Sequence, residues 1–594
     1  MRRIIGIDLG TTNTALAAVT SEGELWAPPE VFPLAQLVKP ADVQARSSLP
    51  SFLYLSGPAE LPEGALDLPW AEGLDFMVGE AARSRGAEVP SRLVSSSKSW
   101  LCHGHADREG PILPPASPGL ETPEGLTRVS PVEAARRYLE HLREAWDAAH
   151  PEAPLGRHSV YLTVPASFDA VARELTAQAA RQSGLQEVAL LEEPLAAFYA
   201  WLAQIGDGWR EVLSLGDRVL VCDVGGGTSD FSLIEVVDDG AGKLSLERVA
   251  VGEHLLLGGD NMDLALAHAL SQTLAADGKK LDAAQQRGLV LGARRAKEAL
   301  LTDPKLEAET LTVLGRGSRL FGGKITVDLT RSMLDTILLE GFFPACGLED
   351  RPQEARRTGF MELGLPFVPD AAVTRHLAKF LGTHADGRLP THVLFNGGVF
   401  NGSVLRNRLL EVLSSWGTAP KVLEGADNDL AVARGAAWYG AVREGGGLRI
   451  KGGTARSYWV GMEIAMPSVP GLPPPMRALC VVPFGMEEGS EAEVPGQTLG
   501  LVVGQPAEFK FLSSNTRKDD PIGSILDEFT WPDHLEETAP IHATIEAEGL
   551  EPGTLVPVRL QAKLTEVGTL ELWCASTEGE RKFRLEFNVR DRDR

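Results

Sequence analysis

Two acids, each followed by a glycine-bearing turn, carry the chemistry available to this sequence. Asp223 ends the apolar run Val219-Leu220-Val221-Cys222 and is followed by Gly225, Gly226, Gly227 and Thr228. Asp230 then opens a second apolar run through Phe231, Leu233 and Ile234. Asp8 likewise ends an apolar run that starts at Ile4, with Gly10, Thr11, Thr12 and Asn13 between it and the next one. Glycine has no Cβ, so the backbone N–H groups of such a turn can close around an anion. A carboxylate beside that nest suits Mg2+, usually held through water. The chemistry is that of a polyphosphate bound together with a divalent cation. A lone glycine hairpin is most often only a tight turn; the second copy, about two hundred residues away, is the stronger signal.

The elements that must position these groups are strands. Each acid stands at the end of an apolar run of strand length, and each turn leads into another. A Rossmann or Walker arrangement needs a helix after the glycines, and no lysine stands at the Walker position. Two acid-tipped hairpins read as paired halves closing on one nucleotide. Around them, Ser130, Pro131 and Glu133 predict a helix with a capping box, and Val132, Ala135, Leu139, Leu142 and Trp146 share one face. Asp169 predicts an N-cap for a helix running to Ser183 and stopping at Gly184. Asp282 and Gln285 form another capping box. Residues 21–45 read as a proline-rich, irregular surface insertion, and 103–128 as loop.

From Gly445 the pattern changes. Gly445, Gly446, Gly447, Gly452 and Gly453 predict a flexible junction, within which Leu448 and Ile450 fall on one face and Arg449 and Lys451 on the other. Beyond Ser457, Val558, Leu560, Ala562 and Leu564 alternate with Arg559, Gln561 and Lys563. Phe583, Leu585, Phe587 and Val589 alternate in the same way, and residues 467–475 form an interrupting loop. Period two with one apolar face predicts a half-buried antiparallel sheet, a β-sandwich-like domain with little helix.

At 594 residues the chain exceeds one ordinary domain. Its 81 acidic residues against 57 Lys and Arg give a net charge of −24, which argues against a broad nucleic-acid or anionic-membrane surface. No apolar run is long enough to span a bilayer, and no signal-peptide core follows Met1. Five scattered cysteines suggest neither a disulfide framework nor a cysteine zinc site, so the expected compartment is the cytoplasm.

At its two hairpins, IDLGTTN and DVGGGTSDFS, the sequence resembles the actin-like ATPases and, within them, the heat shock protein 70 family of DnaK-type chaperones. The resemblance continues in order through RSSLPSFLYL (46–55), FMVGEAA (76–82), TVPASF (163–168), VALLEEPLAAF (188–198), GGDNMD (258–263), LFNGGVFNG (394–402) and the stretch from Asp429 to Ala437. It implies an α/β actin-like ATPase, with two lobes and a duplicated RNase-H-like core over 1–445. A linker at 446–456 and a β-rich substrate-binding-like domain at 457–594 would follow. Only Asp591 to Arg594 remain after the last expected strand, so no helical lid is expected.

The resemblance also implies roles. Asp8 and Asp223 organise Mg2+ through water. Gly10, Thr11, Thr12, Asn13, Gly225, Gly226, Gly227 and Thr228 hold phosphate oxygens, Lys98 neutralises the terminal phosphate, and Glu193 orients the attacking water. Of the adjacent pair Glu192 and Glu193, only Glu193 directly precedes proline as in the family. Gly258, Gly259, Lys297, Gly397, Gly398 and Asp429 match the sugar and base side. Pro165 and Arg173 match positions that relay nucleotide state. Glu298 stands where the family carries an adenine-stacking arginine, and Val399, Phe400 and Asn401 replace small polar residues and an arginine; Phe400 offers a stacking ring in their place.

Other readings stay open at several of these residues. Thr228 is also readable as a plain turn hydroxyl, and Lys98 as a surface lysine that lacks the family's flanking arginine. Asp230 reads as a ligand for a monovalent cation such as K+ or as a strand cap. Cys102, His103 and His105 form a loop cluster with no second ligand group, better read as solvated loop than as a metal site. The function implied is an ATP-dependent chaperone that binds ATP and ADP. Its partners would be extended polypeptide clients, a J-domain protein and a nucleotide-exchange factor, with neither nucleic acid nor membrane. The alternatives are a sugar-type small-molecule kinase of the same superfamily and a filament-forming protein, neither of which accounts for the C-terminal strands.

Overall fold

The two hairpins build two sheets with the same strand order. β1 (Arg3–Leu9) and β2 (Asn13–Glu22) pair antiparallel, with Asp8 opposite Ala15. On the other edge of β1, β3 (Ser159–Val164) and then β4 (Val188–Glu192) add in parallel. In the second sheet β5 (Arg218–Val224) pairs antiparallel with β6 (Ser229–Asp238), setting Asp223 opposite Asp230, and β7 (Leu244–Val251) extends that edge. Across β5, β8 (His392–Asn396) and β9 (Lys421–Val422) again add in parallel. This computed structural model describes residues 2–585 except 24, 59, 104–105, 116–121, 167, 240–241, 254, 314–323, 355–364, 366, 418, 426, 446, 451–452, 455, 465–474, 488, 497, 528–529, 538–540, 546–549, 565–569 and 580.

Helices cover these sheets and bring the chemistry to their ends. α1 (Glu80–Glu88) and α2 (Ser97–Leu101) lie in the excursion between β2 and β3, followed by α3 (Pro131–Ala149). The Glu133 amide donates to Ser130 Oγ at 3.0 Å, but the Glu133 carboxylate pairs with Arg136 and Arg137, so only half of the expected capping box forms. Asp169 caps α4 (Ala170–Gln182), accepting from the Ala172 amide at 2.7 Å, and the chain turns at Gly184 with φ +98°. α5 (Glu193–Ile205) starts directly on the end of β4. In the second half, α6 (Gly259–Ala276) leads to α7 (Ala283–Thr302), whose Asp282–Gln285 capping box is complete in both directions.

The two halves meet along α5 and α8 (Ala431–Arg443), in one apolar cluster that takes Ile4 and Val19 from the first sheet and Val219 and Leu394 from the second. The helices approach so closely that a Cβ on Gly435 would lie 1.7 Å from the Ala196 carbonyl oxygen. Glycine inside a helix costs about 0.5–1 kcal/mol relative to alanine. Here the contact demands it.

Three expectations change. Residues 21–45 are not irregular: the strands Leu25–Trp26, Glu30–Val31, Leu34–Lys39 and Asp42–Arg46 form there, two of them pairing with β2. Leu34 and Leu37 among them are buried, which period-two patterning broken by prolines concealed. His103 is buried rather than solvated, with its ring 6.1 Å from that of Trp100; Gly104 and His105 lie outside the described residues. In the described part of the junction expected to be flexible, two residues are packed down. Ile450 is buried in the α5–α8 cluster, Leu448 packs against it, and the Ile450 amide donates to the Tyr199 hydroxyl at 2.9 Å. Arg449 faces solvent, near Glu487, while Gly446, Lys451 and Gly452 lie outside the described residues.

Beyond it, β10 (Ser457–Glu463) and β11 (Met476–Val482) belong to one five-stranded antiparallel sheet. β12 (Thr554–Leu564) and β13 (Leu570–Ser576) belong to another. Val460, Leu479 and Val481 of the first share a buried cluster with Val558, Leu560, Ala562 and Leu572 of the second. Trp459 and Cys480, on the opposite face of the first sheet, pack under Leu512 and Leu535. The alternation read in residues 558–564 is the observed burial pattern. Phe587, Val589 and the loop 467–474 lie outside the described residues.

Candidate active site

The tips of the two hairpins touch. A Cβ on Gly226 would fall 1.8 Å from Thr12 Oγ1, and one on Gly227 would fall 2.8 Å from Thr11 Cγ2. This contact, more than turn geometry, is why glycines stand there. The second tip is pinned from behind by the start of α6, where the Gly259 and Asp260 amides donate to the Gly225 and Gly226 carbonyls at 3.0 and 2.7 Å. Beside the tips lies a cavity of about 350 Å3. Asp8, Gly10, Thr11, Thr12 and Asn13 line it from the first hairpin, and Asp223, Gly225, Gly226 and Thr228 from the second.

Lys98 and Glu193 reach the same cavity from α2 and from the first turn of α5, and their side chains form a buried ion pair. Burial disfavours the Lys98 ammonium, but Glu193 and Asp8 more than offset it, so its pKa is raised. The residue before α2, Ser96, takes a left-handed conformation at φ 52°, and its hydroxyl donates to Asp260 Oδ2 at 2.6 Å across the cleft. α1 and α7 touch farther along, so the halves are closed over the cavity.

The carboxylates are crowded. Burial, then the charge of Glu193, pushes Asp8 up to about 7 against the opposing effect of Lys98; Thr163 donates to its Oδ1 at 3.3 Å. Burial and Glu193 also hold Asp223 well above the ordinary carboxylate range, opposed by a hydrogen bond from Asn396. The lining comprises seven carboxylates and four cationic side chains. An occupant must therefore bring positive charge along with any phosphate. Among the described residues no group of three or more His, Cys, Asp or Glu is arranged to ligate a metal directly. A divalent cation held by its own waters fits this donor set.

The far end of the cavity is built differently. One face of α7 supplies Arg294, Lys297, Glu298 and Leu301, opposite the turn Gly397-Gly398-Val399 and Asn401. Arg294 and Lys297 are committed to Asp263, at 2.6 and 2.7 Å, and Arg294 also pairs with Asp260 at 2.5 Å. Glu298 is raised in pKa by burial despite Lys297 and Arg294 nearby. Asn401 donates to Asp429 at 2.9 Å.

Most of the residues named from sequence converge on this cavity, and four do not line it. Phe400 is fully buried between Phe395 and Phe343, with ring centroids at 4.7 and 6.2 Å, so it cannot stack on a bound base. Its place two residues past Gly397-Gly398 suggested a stacking ring; the short 3-10 turn Gly398–Asn401 rotates it into the core instead. Asp230 is 3% exposed and adds repulsion to Asp223 from across the ladder. Gly227 and Gly258 serve the close approach of hairpin to hairpin and to α6. Sequence reading missed Asn396, which lines the cavity at the end of the strand His392–Asn396, and the cations Arg83 and Arg294.

Behind Glu193, its neighbour Glu192 points the other way. It pairs with Arg173 at 2.8 Å and with Arg248, and the other Arg248 nitrogen donates to the Gly453 carbonyl of the junction. Lys518, from the C-terminal strands, donates to the Val249 carbonyl at 2.7 Å.

An acid-tipped hairpin in each of two matching sheets, closing over one cleft, defines an ATPase-like mixed α/β region, followed here by a region rich in antiparallel sheets. The sequence model described as Hsp70 protein matches residues 117–340. The protein described as Chaperone protein HscA homolog in Bordetella pertussis (strain Tohama I) is 31% identical over 342 residues, 56% of this chain and 46% of that one. Its counterpart in Pseudomonas putida (strain KT2440) is 35% identical over 312 residues, 50% of this chain and 42% of its own length. That of Pseudomonas aeruginosa (strain PAO1) is 33% identical over 350 residues, 57% and 46% respectively. The match thus covers about half of this chain and a little under half of each relative. Over the matched part the chain is similar to the Hsp70 family, at the distance of a divergent relative. Among the described residues no helix is long and apolar enough to cross a membrane.

Proposed function

We propose that this chain is a cytoplasmic, ATP-dependent, chaperone-like protein that binds Mg-ATP and hydrolyses it slowly to control a C-terminal polypeptide-binding region. The observation that carries the reading is the buried Lys98–Glu193 pair, walled into one cavity with Asp8, Asp223 and both glycine turns. Hydrolysis of a terminal phosphate needs compensation of developing charge and a positioned water, and little covalent chemistry from the protein. In this reading Gly10 to Asn13 in the first turn, and Gly225, Gly226 and Thr228 in the second, hold phosphate oxygens. Lys98 supplies charge at the terminal phosphate, and Glu193 orients the water. Lys297, Gly259, Gly397, Gly398 and Asp429 line the sugar and base side. Asp8 and Asp223 hold Mg2+ through water, and the cation neutralises charge on the phosphates when bound.

The reading divides the chain into an actin-like ATPase region at 1–445 with a duplicated RNase-H-like core, a linker at 446–456 and a β-sandwich-like region from 457. The repeated strand order supports the duplication, and the cluster shared by two antiparallel sheets supports the sandwich. Control over extended polypeptide clients is supported by the buried Ile450 and by the Glu192–Arg248–Gly453 contacts, which reach from the residue beside Glu193 to the junction. A J-domain protein and a nucleotide-exchange factor are the expected co-chaperones. Steady-state turnover with Lys98→Ala tests the reading. Loss of a preorganised charge costs about 10²–10³-fold, whereas hydrolysis at the parent rate with normal ATP binding overturns the assignment.

A further inference from the structure

We infer that Asn396 is a positioning residue of the cation site, dividing the two oxygens of Asp223 and offering an acceptor to a cation-bound water. The inference rests on the Mg-nucleotide reading of the same cavity. The strand His392–Asn396 is buried throughout and apolar from Val393 to Phe395, and the parallel register sets Asn396 directly beside Asp223. Cross-strand neighbours in register share a face of the sheet. Asn396 is 2% exposed, and its Nδ2 donates to Asp223 Oδ2 at 2.9 Å. A carboxylate can only accept when ionised, so the amide must turn its nitrogen to it and leave its oxygen elsewhere.

That oxygen, Asn396 Oδ1, has no hydrogen-bond partner although it is buried and the residue lines the cavity. Buried acceptors are rarely left unpaired. Three of the four cavity cations are already engaged: Lys98 with Glu193, and Arg294 and Lys297 with Asp263. A water carried by a divalent cation presents its hydrogens outward and supplies the missing donor. The next residue completes the arrangement. Gly397 adopts φ +86°, and a Cβ there would stand 2.8 Å from Asp223 Oδ1 and 2.3 Å from the Val224 carbonyl oxygen. Asn396 therefore holds one Asp223 oxygen while Gly397 keeps space beside the other. Partners that orient a metal-site carboxylate typically govern metal affinity by about 10–100-fold.

The test uses the full chain and calorimetric titration of ADP in excess Mg2+ and in EDTA, for the parent, Asn396→Val and Asn396→Ser. Serine guards against a valine variant that does not fold, which a thermal melt reports. The expected result is that the Mg2+-dependent gain in ADP affinity shrinks by about tenfold in both variants, with the affinity in EDTA unchanged within about twofold. A merely structural role would weaken both titrations together and overturns the inference, as does a folded variant that keeps the parent's Mg2+ gain. If the parent binds ADP in neither buffer, the nucleotide reading itself falls and the role of Asn396 with it. If the parent shows the gain and both variants retain it, only the role of Asn396 falls.

Discussion

The hairpin end and the far end of the cavity hold their groups by different means. At the hairpin end backbone does most of the work: two glycine turns in contact, α6 amides behind them, and acids fixed at strand ends. At the far end, side chains on one face of α7 meet a short turn, and those side chains are tied to one another, as in Arg294 and Lys297 with Asp263. A backbone cradle tolerates little change because every substitution adds atoms to a filled contact. A side-chain wall can exchange charge for charge while the hairpin end stays the same. At the far end Glu298 stands on that face of α7, and Asn401 is paired to Asp429.

The comparison breaks first, and with the largest effect, at Phe400. Because it is fully buried against Phe395 and Phe343, Phe400→Ala should cost about 3–5 kcal/mol of stability. Its ATP-to-GTP preference should stay that of the parent; a changed preference without loss of stability would return the ring to the base side. Gly226→Val should cost about 1–3 kcal/mol through overpacking at Thr12. It should also abolish measurable nucleotide affinity, because the tips can no longer touch, and a variant that binds ADP as the parent does would show the cradle to be adaptable.

The crowding of carboxylates at the hairpin end gives a pH signature in nucleotide-free protein without divalent cations. Asp8 is pushed from an ordinary 3.8 up to about 7, by burial and then by Glu193. The folded chain therefore binds more protons than the unfolded chain between those values, and its stability falls as pH rises through that window. Thermal melts from pH 5 to pH 8 should show Tm declining with rising pH, and Mg2+ with ADP should flatten the decline. A Tm that climbs over the same range contradicts the crowding. The smallest effect belongs to the far end. Glu298→Arg places a cation on the cavity wall where planar stacking on a base is worth about 1 kcal/mol, so ADP affinity should rise about fivefold or less and Tm should stay near the parent's.

Most of the hairpin end is legible in the sequence, because its determinants are local. Apolar runs, an acid at a strand end and a glycine turn follow each other within a dozen residues in both copies. The caps at Asp169 and Asp282 were legible for the same reason, since an N-cap is set by the residues within one turn. Where local signals were counted too generously they failed: Glu133 has two arginines within one turn, and its carboxylate goes to them rather than back to the N-cap.

The sequence by itself determined the strand–turn–strand units, the helix starts and the change to antiparallel strands after the junction, because period, caps and turn residues act over a few positions. Only the tertiary structure decided which side chains meet. Asn396 reaches Asp223 through the register of strands about 170 residues apart, and Phe400 turns into the core because a 3-10 turn rotates it there. The junction glycines signalled freedom, yet Ile450 is held by a cluster drawn from both sheets and two helices. Glu192 and Glu193 are neighbours in sequence with opposite destinations, one toward Arg248 and the junction, the other into the cavity beside Lys98. No spacing rule reports this, since the change from β4 to α5 falls between them and sends successive side chains apart.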